Sequence, residues 1–146
     1  MQTLHDNYQQ VRRTERATAN LPQNTTGDLF TITGGRILVL QILGEVTTAI
    51  QNQACNTKLT LDVATGTDVD LCAVLNIAND EVGTLYGTTG VFSDAMLGAG
   101  QALQGPRPFI CKPGAIELST AASNTGKVKW TLFWIPLDAG AYVAAA

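Results

Sequence analysis

Histidine, which most often serves as a catalytic base or zinc ligand, occurs once in this chain of 146 residues. The single histidine is His5, near the N-terminus. A Ser-His-Asp triad, a Cys-His pair and a His-ligated zinc site each place a histidine beside the reacting group. These arrangements are therefore excluded unless a site is shared between subunits.

The three cysteines, Cys55, Cys72 and Cys111, lie far apart in the sequence. Their number is odd and they form no C-x-x-C pair, so neither zinc-finger spacing nor a disulfide framework is indicated. None has an obvious neighbouring base that would favour the reactive thiolate. We expect all three to be small buried hydrophobic residues in a protein made in a reducing cytoplasm.

Carboxylates are the remaining candidates for chemistry. Asp62, Asp68 and Asp70 bracket a Thr-Gly-Thr turn with the spacing D-x5-D-x-D and could converge on a hard cation such as Ca²⁺. The bidentate glutamate of a standard calcium loop is missing, and aspartate is also common in turns. We therefore predict no catalytic residue, no cofactor and no metal, and the cation site stays an open alternative.

The composition favours contact with other proteins. Charged residues make up 14% of the chain and the formal net charge is −3, whereas an average soluble domain has about 25% charged residues. An isolated monomer usually carries more charge, although a charge-poor globular domain is the alternative. The acidic balance argues against a nucleic-acid partner. No apolar run reaches the ~18 residues of a membrane span, so no membrane partner is expected, and the polar N-terminus predicts no signal peptide.

Strand signals dominate from Asp28 onward. Eight or nine short β-prone runs, separated by Gly, Pro and Asn, predict an all-β fold over residues 28–146: an antiparallel two-sheet sandwich, jelly-roll-like. Gly34-Gly35 predicts a two-residue hairpin, and Gly44 predicts a bulge or bend. An immunoglobulin-like sandwich ranks second, because it needs an early tryptophan and both tryptophans lie in the last strand.

Residues 1–27 are predicted to form an extended N-terminal arm, polar and distinct from the rest. Leu4, Tyr8 and Val11 have the spacing of a short helix. The arm also carries a small basic cluster, Arg12, Arg13 and Arg16. We expect the arm to order against a neighbouring surface, with a frayed terminus as the alternative.

Two strand segments are apolar on both faces. The run Ile-Leu-Val-Leu-Gln-Ile-Leu at residues 37–43 lacks the alternation of a half-exposed strand, and so does the end of the last strand. In the last strand, Trp130 and Trp134 share a face with Val128 and Leu132, which favours a core position over a sugar-stacking platform. The opposite faces, which carry Ile37, Val39 and Leu43 in one strand and Phe133 and Ile135 in the other, need a cover.

Monomers rarely leave continuous apolar patches of several hundred Å² in water. The cover is therefore expected to be the arm, a symmetry mate or a different protein. The predicted contact residues are Arg12, Arg13, Arg16, Ile37, Val39, Phe133 and Ile135.

Three segments carry a resemblance to a known class of proteins: "DLFTITGGRILVLQILGEVTTAIQ", "GTDVDLCAVLNIANDEVGTLY" and "SNTGKVKWTLFWIPLDAGAYV". Over residues 28–143 the chain resembles small virion structural proteins of tailed bacteriophages, in overall pattern rather than in a diagnostic motif. The resemblance implies a capsid decoration (cement) protein on the head surface, assembled in the host cytoplasm. The implied partners are the major capsid protein and copies of the chain itself, as a homodimer or homotrimer.

A second functional class remains open. A tail- or fibre-associated module that binds a host glycan would use the Gly-rich loops at residues 83–107. Tyr86 and Phe92 are the aromatic side chains available there.

Overall fold

The computed structural model describes residues 10–146, which form an all-β structure of twelve strands without a helix. The strands are β1 (Arg12–Asn20), β2 (Thr26–Thr33), β3 (Ile37–Thr48), β4 (Asn56–Val63), β5 (Val69–Asp70), β6 (Leu75–Asn76), β7 (Leu85–Gly87), β8 (Leu97–Ala99), β9 (Phe109–Cys111), β10 (Gly114–Thr120), β11 (Lys127–Pro136) and β12 (Tyr142–Ala145). In the described part of the chain, nothing meets the requirements of a membrane-spanning helix.

The strands form two antiparallel sheets that pack face to face. Sheet A has the order β1-β11-β3-β7-β8, with β9 also paired to β3, and sheet B has the order β12-β2-β10-β4-β5, with β6 also paired to β4. Eight of these strands, β1-β11-β3-β9 and β2-β10-β4-β5, give the two four-stranded sheets of a jelly roll. Consecutive strands of this set lie in opposite sheets except for β4 and β5, which are neighbours in sheet B, as that topology requires. The predicted jelly-roll-like sandwich is confirmed.

Part of the predicted arm belongs to the sandwich. Residues 12–20 form β1, an edge strand of sheet A that pairs with β11 from Arg12 opposite Trp134 onward. The Thr14 hydroxyl accepts a hydrogen bond from Trp134 Nε1 at 3.0 Å. Most side chains of β1 are exposed, so its sequence lacks the apolar alternation that marks a strand. The sandwich thus begins at Arg12 rather than residue 28, and the possible helix through Leu4 and Tyr8 lies outside the described residues.

Gly34-Gly35 connects the two sheets and does not close a hairpin, which corrects the sequence prediction. β2 lies in sheet B and β3 in sheet A. Both glycines have positive φ, 79° and 154°, and a Cβ on Gly34 would overlap the carbonyl oxygen of Gly140. A local turn signal carries no information about which sheet receives the next strand.

A β-bulge explains much of the two-faced apolar run in β3. In the pairing with β11, Leu40 is an extra residue without a partner. Ile37 and Val39 point into the sandwich before the bulge, and Ile42 points into it after the bulge. An extra residue shifts the alternation of side chains by one position. Odd-numbered residues of the run therefore enter the core before the bulge, and an even-numbered residue enters it after the bulge.

β11 supplies the centre of the core. Its inward side chains, Val128, Trp130, Leu132 and Trp134, are at most 3% exposed, as predicted. The Trp130 ring stacks near Tyr86 with centroids 6.2 Å apart. A Cβ on Gly44 would lie 2.8 Å from that ring, so Gly44 makes room for Trp130 and does not mark the bulge.

Candidate assembly surface

The cysteines are placed as buried core residues. Cys55, Cys72 and Cys111 are at most 1% exposed and none forms a disulfide with another described residue. Burial raises the pKa of Cys72, and it raises the pKa of Cys111 to about 12. Both effects disfavour the thiolate that a nucleophile or metal ligand needs. His5 lies outside the described residues.

The three aspartates of the possible cation site do not act together. Asp70 forms an ion pair with Lys58 at 2.8 Å. Repulsion from the neighbouring Asp68 carboxylate raises the pKa of Asp62. Among residues 10–146, no group of three or more His, Cys, Asp or Glu side chains is arranged to hold a metal ion. The contacts of these aspartates are thus those of turn and strand-face residues.

The sequence pattern missed a carboxylate cluster on the outer face of sheet B. Glu117 on β10 lies opposite Asp28 on β2, and Asp62 and Asp68 are close enough to interact with it. Partial burial, a hydrogen bond with Asp28 and repulsion from the other carboxylates raise the pKa of Glu117 to about 7. Because these residues lie far apart in the sequence, only the strand register brings them together.

The basic cluster predicted in the arm is divided by the strand geometry. Arg16 is partly buried, and its Nε donates a hydrogen bond to the carbonyl oxygen of Ala146 at 3.2 Å. Arg12 and Arg13 are exposed at the other end of β1. Arg16 therefore joins β1 to the C-terminal strand, whereas Arg13 points away from the sandwich on the outer face of sheet A.

The predicted apolar contact residues fall into two groups. Ile37 and Val39 are 0% exposed in the sandwich interior, so they are corrected from surface to core positions. Phe133 and Ile135 lie on the outer face of sheet A and are partly buried. On β3 the corresponding outer positions are Leu38, opposite Ile135, and Leu43.

This outer face continues onto β9. Ile110 lies opposite Leu38 in the pairing of β9 with β3 and is 57% exposed. An apolar row thus crosses three strands, Ile135, Leu38 and Ile110, beside Phe133 and Leu43. The alternation of residues in β11 predicted this outer face. The contribution of β9 was not predicted, because a strand of three residues is too short to show an alternating pattern.

A shallow hollow lies on the outer face of sheet A, across β1, β11 and β3. We call it the central patch, and its lining residues are Arg13, Glu15, Leu43, Glu45, Lys129, Thr131 and Phe133. Its volume is about 200 Å³. Lys129 Nζ lies 3.7 Å from a carboxylate oxygen of Glu15. The patch therefore combines an apolar floor with two positive and two negative side chains around it.

The Gly-rich loops offer less aromatic surface than the sequence suggested. Tyr86 is 1% exposed, and its hydroxyl donates a hydrogen bond to Asp80 Oδ2. Phe92 is 40% exposed and packs edge-on against Phe109 with centroids 5.5 Å apart. One exposed aromatic ring is thus available in these loops, which also form a hollow of about 260 Å³ lined by Val91 and Arg107.

Comparisons of the chain with known families, proteins and structures found no relative. No protein-family model, no curated protein and no solved structure matches the chain. The all-β sandwich and its outer faces are therefore the basis for a functional proposal.

Proposed function

We propose that this protein is a structural subunit of a virion: a decoration (cement) protein that attaches to the head shell of a tailed bacteriophage and bridges capsid subunits. The observation that carries the proposal is the apolar outer face of sheet A, with Leu38, Leu43, Phe133 and Ile135 outside the core. The resemblance of residues 28–143 to small phage virion proteins supports the choice of partner, the major capsid protein. No catalytic residue, cofactor or metal is part of the proposal.

The physical basis is burial of apolar surface at a contact between subunits. Stable protein interfaces bury about 800 Å² on each partner, and removal of apolar surface from water contributes about 25 cal/mol per Å² before the costs of association. A rigid sheet presents its side chains without ordering a loop, which keeps those costs low. Many identical contacts over a shell would then add up to resistance against the pressure of packaged DNA.

The test uses virions that lack this chain, to which purified protein is added back. After sedimentation, bound protein is quantified and negative-stain images locate it. Shell-wide density supports the proposal. Density confined to the tail tip, or protein that stays in the supernatant, contradicts it.

A matched pair of variants tests the assigned face. Phe133→Gln should reduce binding to the shell by about tenfold or more, as expected for a contact at the centre of an interface. Val82→Gln is the control, because Val82 is 64% exposed in a turn outside the strands of sheet A. Equal binding by the two variants would show that the outer face of sheet A plays no part in attachment to the shell.

The glycan-binding alternative has one observation in its favour, the exposed ring of Phe92 in a loop whose Val91 lines a hollow together with Arg107. A stacking ring and a polar neighbour are common features of sugar sites. Tail-tip density in the same images, lost in Phe92→Ala, would support this alternative.

A further inference from the structure

Two of the four charged side chains in the central patch have no ion-pair partner among residues 10–146. Arg13 and Glu15 lie on β1, Lys129 on β11 and Glu45 on β3. Glu15 contacts Lys129 at 3.7 Å, whereas Arg13 and Glu45 form no ion pair with any residue of 10–146. The positions of Arg13 and Glu45 in the sheet suggest which charged groups could pair with them.

The strand register fixes the relative positions of these side chains. Residues directly opposite each other on neighbouring strands lie side by side, which gives three outward rows: Arg13-Phe133-Gln41, Glu15-Thr131-Leu43 and Lys129-Glu45. Neighbouring strands are about 5 Å apart, and successive outward residues of one strand are about 7 Å apart. Arg13 and Glu45 therefore occupy opposite corners of the patch, about 16 Å apart, which is too far for a direct contact within one copy.

This layout is complementary to itself under a two-fold rotation. The two-fold axis lies in the plane of the face, runs diagonally to the strands and passes over Thr131. Rotation about this axis places Arg13 of one copy opposite Glu45 of the second copy. Under the same rotation Glu15 falls within about 3 Å of the position opposite Lys129, and Phe133 within about 3 Å of the position opposite Leu43. The strands of the two copies then cross at roughly 70°, near the orthogonal class of sheet packing.

We propose that the outer face of sheet A is a homodimer interface, in which a second copy of this chain packs across the central patch with Arg13 against Glu45 and Phe133 against Leu43. The inference deepens the proposed function and rests on its assignment of this face to protein contact. Each contact occurs twice, because a two-fold interface is isologous.

A second copy fits this face better than an unrelated protein on the grounds of charge. The patch carries two positive and two negative side chains, so it has no net charge that would attract a strongly acidic or basic partner. Its charges alternate so that the rotation brings unlike charges together at all four positions. In this arrangement the apolar floor is covered and the charges at its rim are paired, as in stable interfaces with an apolar centre and a polar rim. The shell contact of the proposed function then falls on other surfaces. Because the dimer carries two of them, loss of the dimer through Phe133→Gln also weakens attachment to the shell.

The test is a charge-swap cycle followed by sedimentation velocity of the full chain. Glu45→Lys should weaken dimerisation about tenfold or more, because it places like charges opposite each other at two symmetric positions. Arg13→Glu should do the same. The double variant Arg13→Glu/Glu45→Lys should restore the dimer, since the swapped charges again lie opposite each other between copies. Rescue cannot arise inside one chain, where the two residues are about 16 Å apart.

Both residues are exposed, and a thermal melt of each variant checks that the fold is intact. Dissociation of the wild-type dimer at high salt, where exposed ion pairs are screened, is a further expected result. The proposal is overturned by a wild-type protein that stays monomeric at about 100 μM, a concentration at which even weak dimers with micromolar affinity are populated. It is equally overturned by a dimer that Glu45→Lys does not affect, or by a double variant that stays as weak as the single variants.

The outcome is separable from that of the proposed function. A monomer that still decorates shells through Phe133 would leave the decoration role intact and assign the face to the capsid. A dimer that follows the charge-swap pattern but never binds shells would keep the interface and remove the decoration role.

Discussion

Glu117→Gln is expected to stabilise the protein at pH 8 and to have no effect near pH 4. The Glu117 carboxylate lies on the outer face of sheet B, opposite Asp28 and near Asp62 and Asp68. Burial, the hydrogen bond with Asp28 and repulsion raise its pKa from 4.5 to about 7. Glutamine resembles the protonated carboxyl group in shape, so it keeps the neutral form at every pH.

The sign follows from the direction of the shift. Below about pH 4.5 the carboxyl group is neutral in both the folded and the unfolded chain, and it makes no difference to stability. As the pH rises towards 7, the unfolded chain ionises readily while the folded chain resists. The wild-type protein therefore loses free energy of unfolding as the pH rises from about 4.5 to about 7, and the full loss is present above about pH 7.

The magnitude can be bounded from the same pKa. A rise from 4.5 to about 7 corresponds to at most about 3 kcal/mol, at ~1.4 kcal/mol per tenfold change in proton affinity. Because Glu117 is only partly buried, solvent screening reduces the expected effect to about 1–2 kcal/mol. A difference of this size is a measurable fraction of the roughly 5–15 kcal/mol that stabilises a domain.

The assay is urea unfolding at pH 4, 6 and 8, followed by the fluorescence of the buried tryptophans. Glu81→Gln is the matched control, because Glu81 is an exposed glutamate in a loop. The gain of Glu117→Gln over the wild type should grow with pH, while the control stays flat. A gain that is equal at all three pH values, or equal to that of the control, would refute the account of the carboxylate cluster.

Two further predictions concern the connection between the sheets and the core. Gly44→Ala should destabilise the fold by about 1–3 kcal/mol, as overpacking does, because a Cβ there lies 2.8 Å from the Trp130 ring; an unchanged urea midpoint would contradict this. Asp138 accepts three hydrogen bonds from Arg36, at 2.7, 2.8 and 3.0 Å, and these bonds lower the pKa of Asp138 to about 2. Asp138→Asn should therefore lower the melting temperature at pH 7. The difference from the wild type should be present above about pH 4 and lost as the pH falls through 2. A difference that persists at pH 1.5 would contradict this prediction.

The sequence predicted the core of β11 and the fold class because both depend on local alternation. Val128 to Trp134 alternate strictly, and alternate residues of a strand must face the same side of a sheet. The β4–β5 hairpin is also a local feature, because Leu61 lies opposite Val69 across the Thr-Gly-Thr turn. Where one short stretch contains the whole pattern, the sequence alone predicts the local structure.

The sequence did not predict features that depend on pairing between distant strands. β1 is polar and exposed, so only its partner β11 identifies it as a strand. Gly34-Gly35 turns the chain, yet the choice of sheet for β3 is made by tertiary packing. Asp28 and Glu117 are neighbours only because β2 and β10 pair in that register.

The two apolar faces of β3 have different origins, and only one of them calls for a partner. The bulge at Leu40 turns Ile37 and Val39 into the same core that Ile42 enters, so their apolar character is explained within one copy. Leu43 and its neighbour Phe133 have no such explanation, since the bulge leaves them outside. The case for assembly therefore rests on fewer residues than the sequence suggested, and those residues lie inside a ring of charges that a second copy can pair. This is why the charge swap is the more searching experiment: hydrophobic substitutions test whether the face is covered, whereas a rescued double variant identifies what covers it.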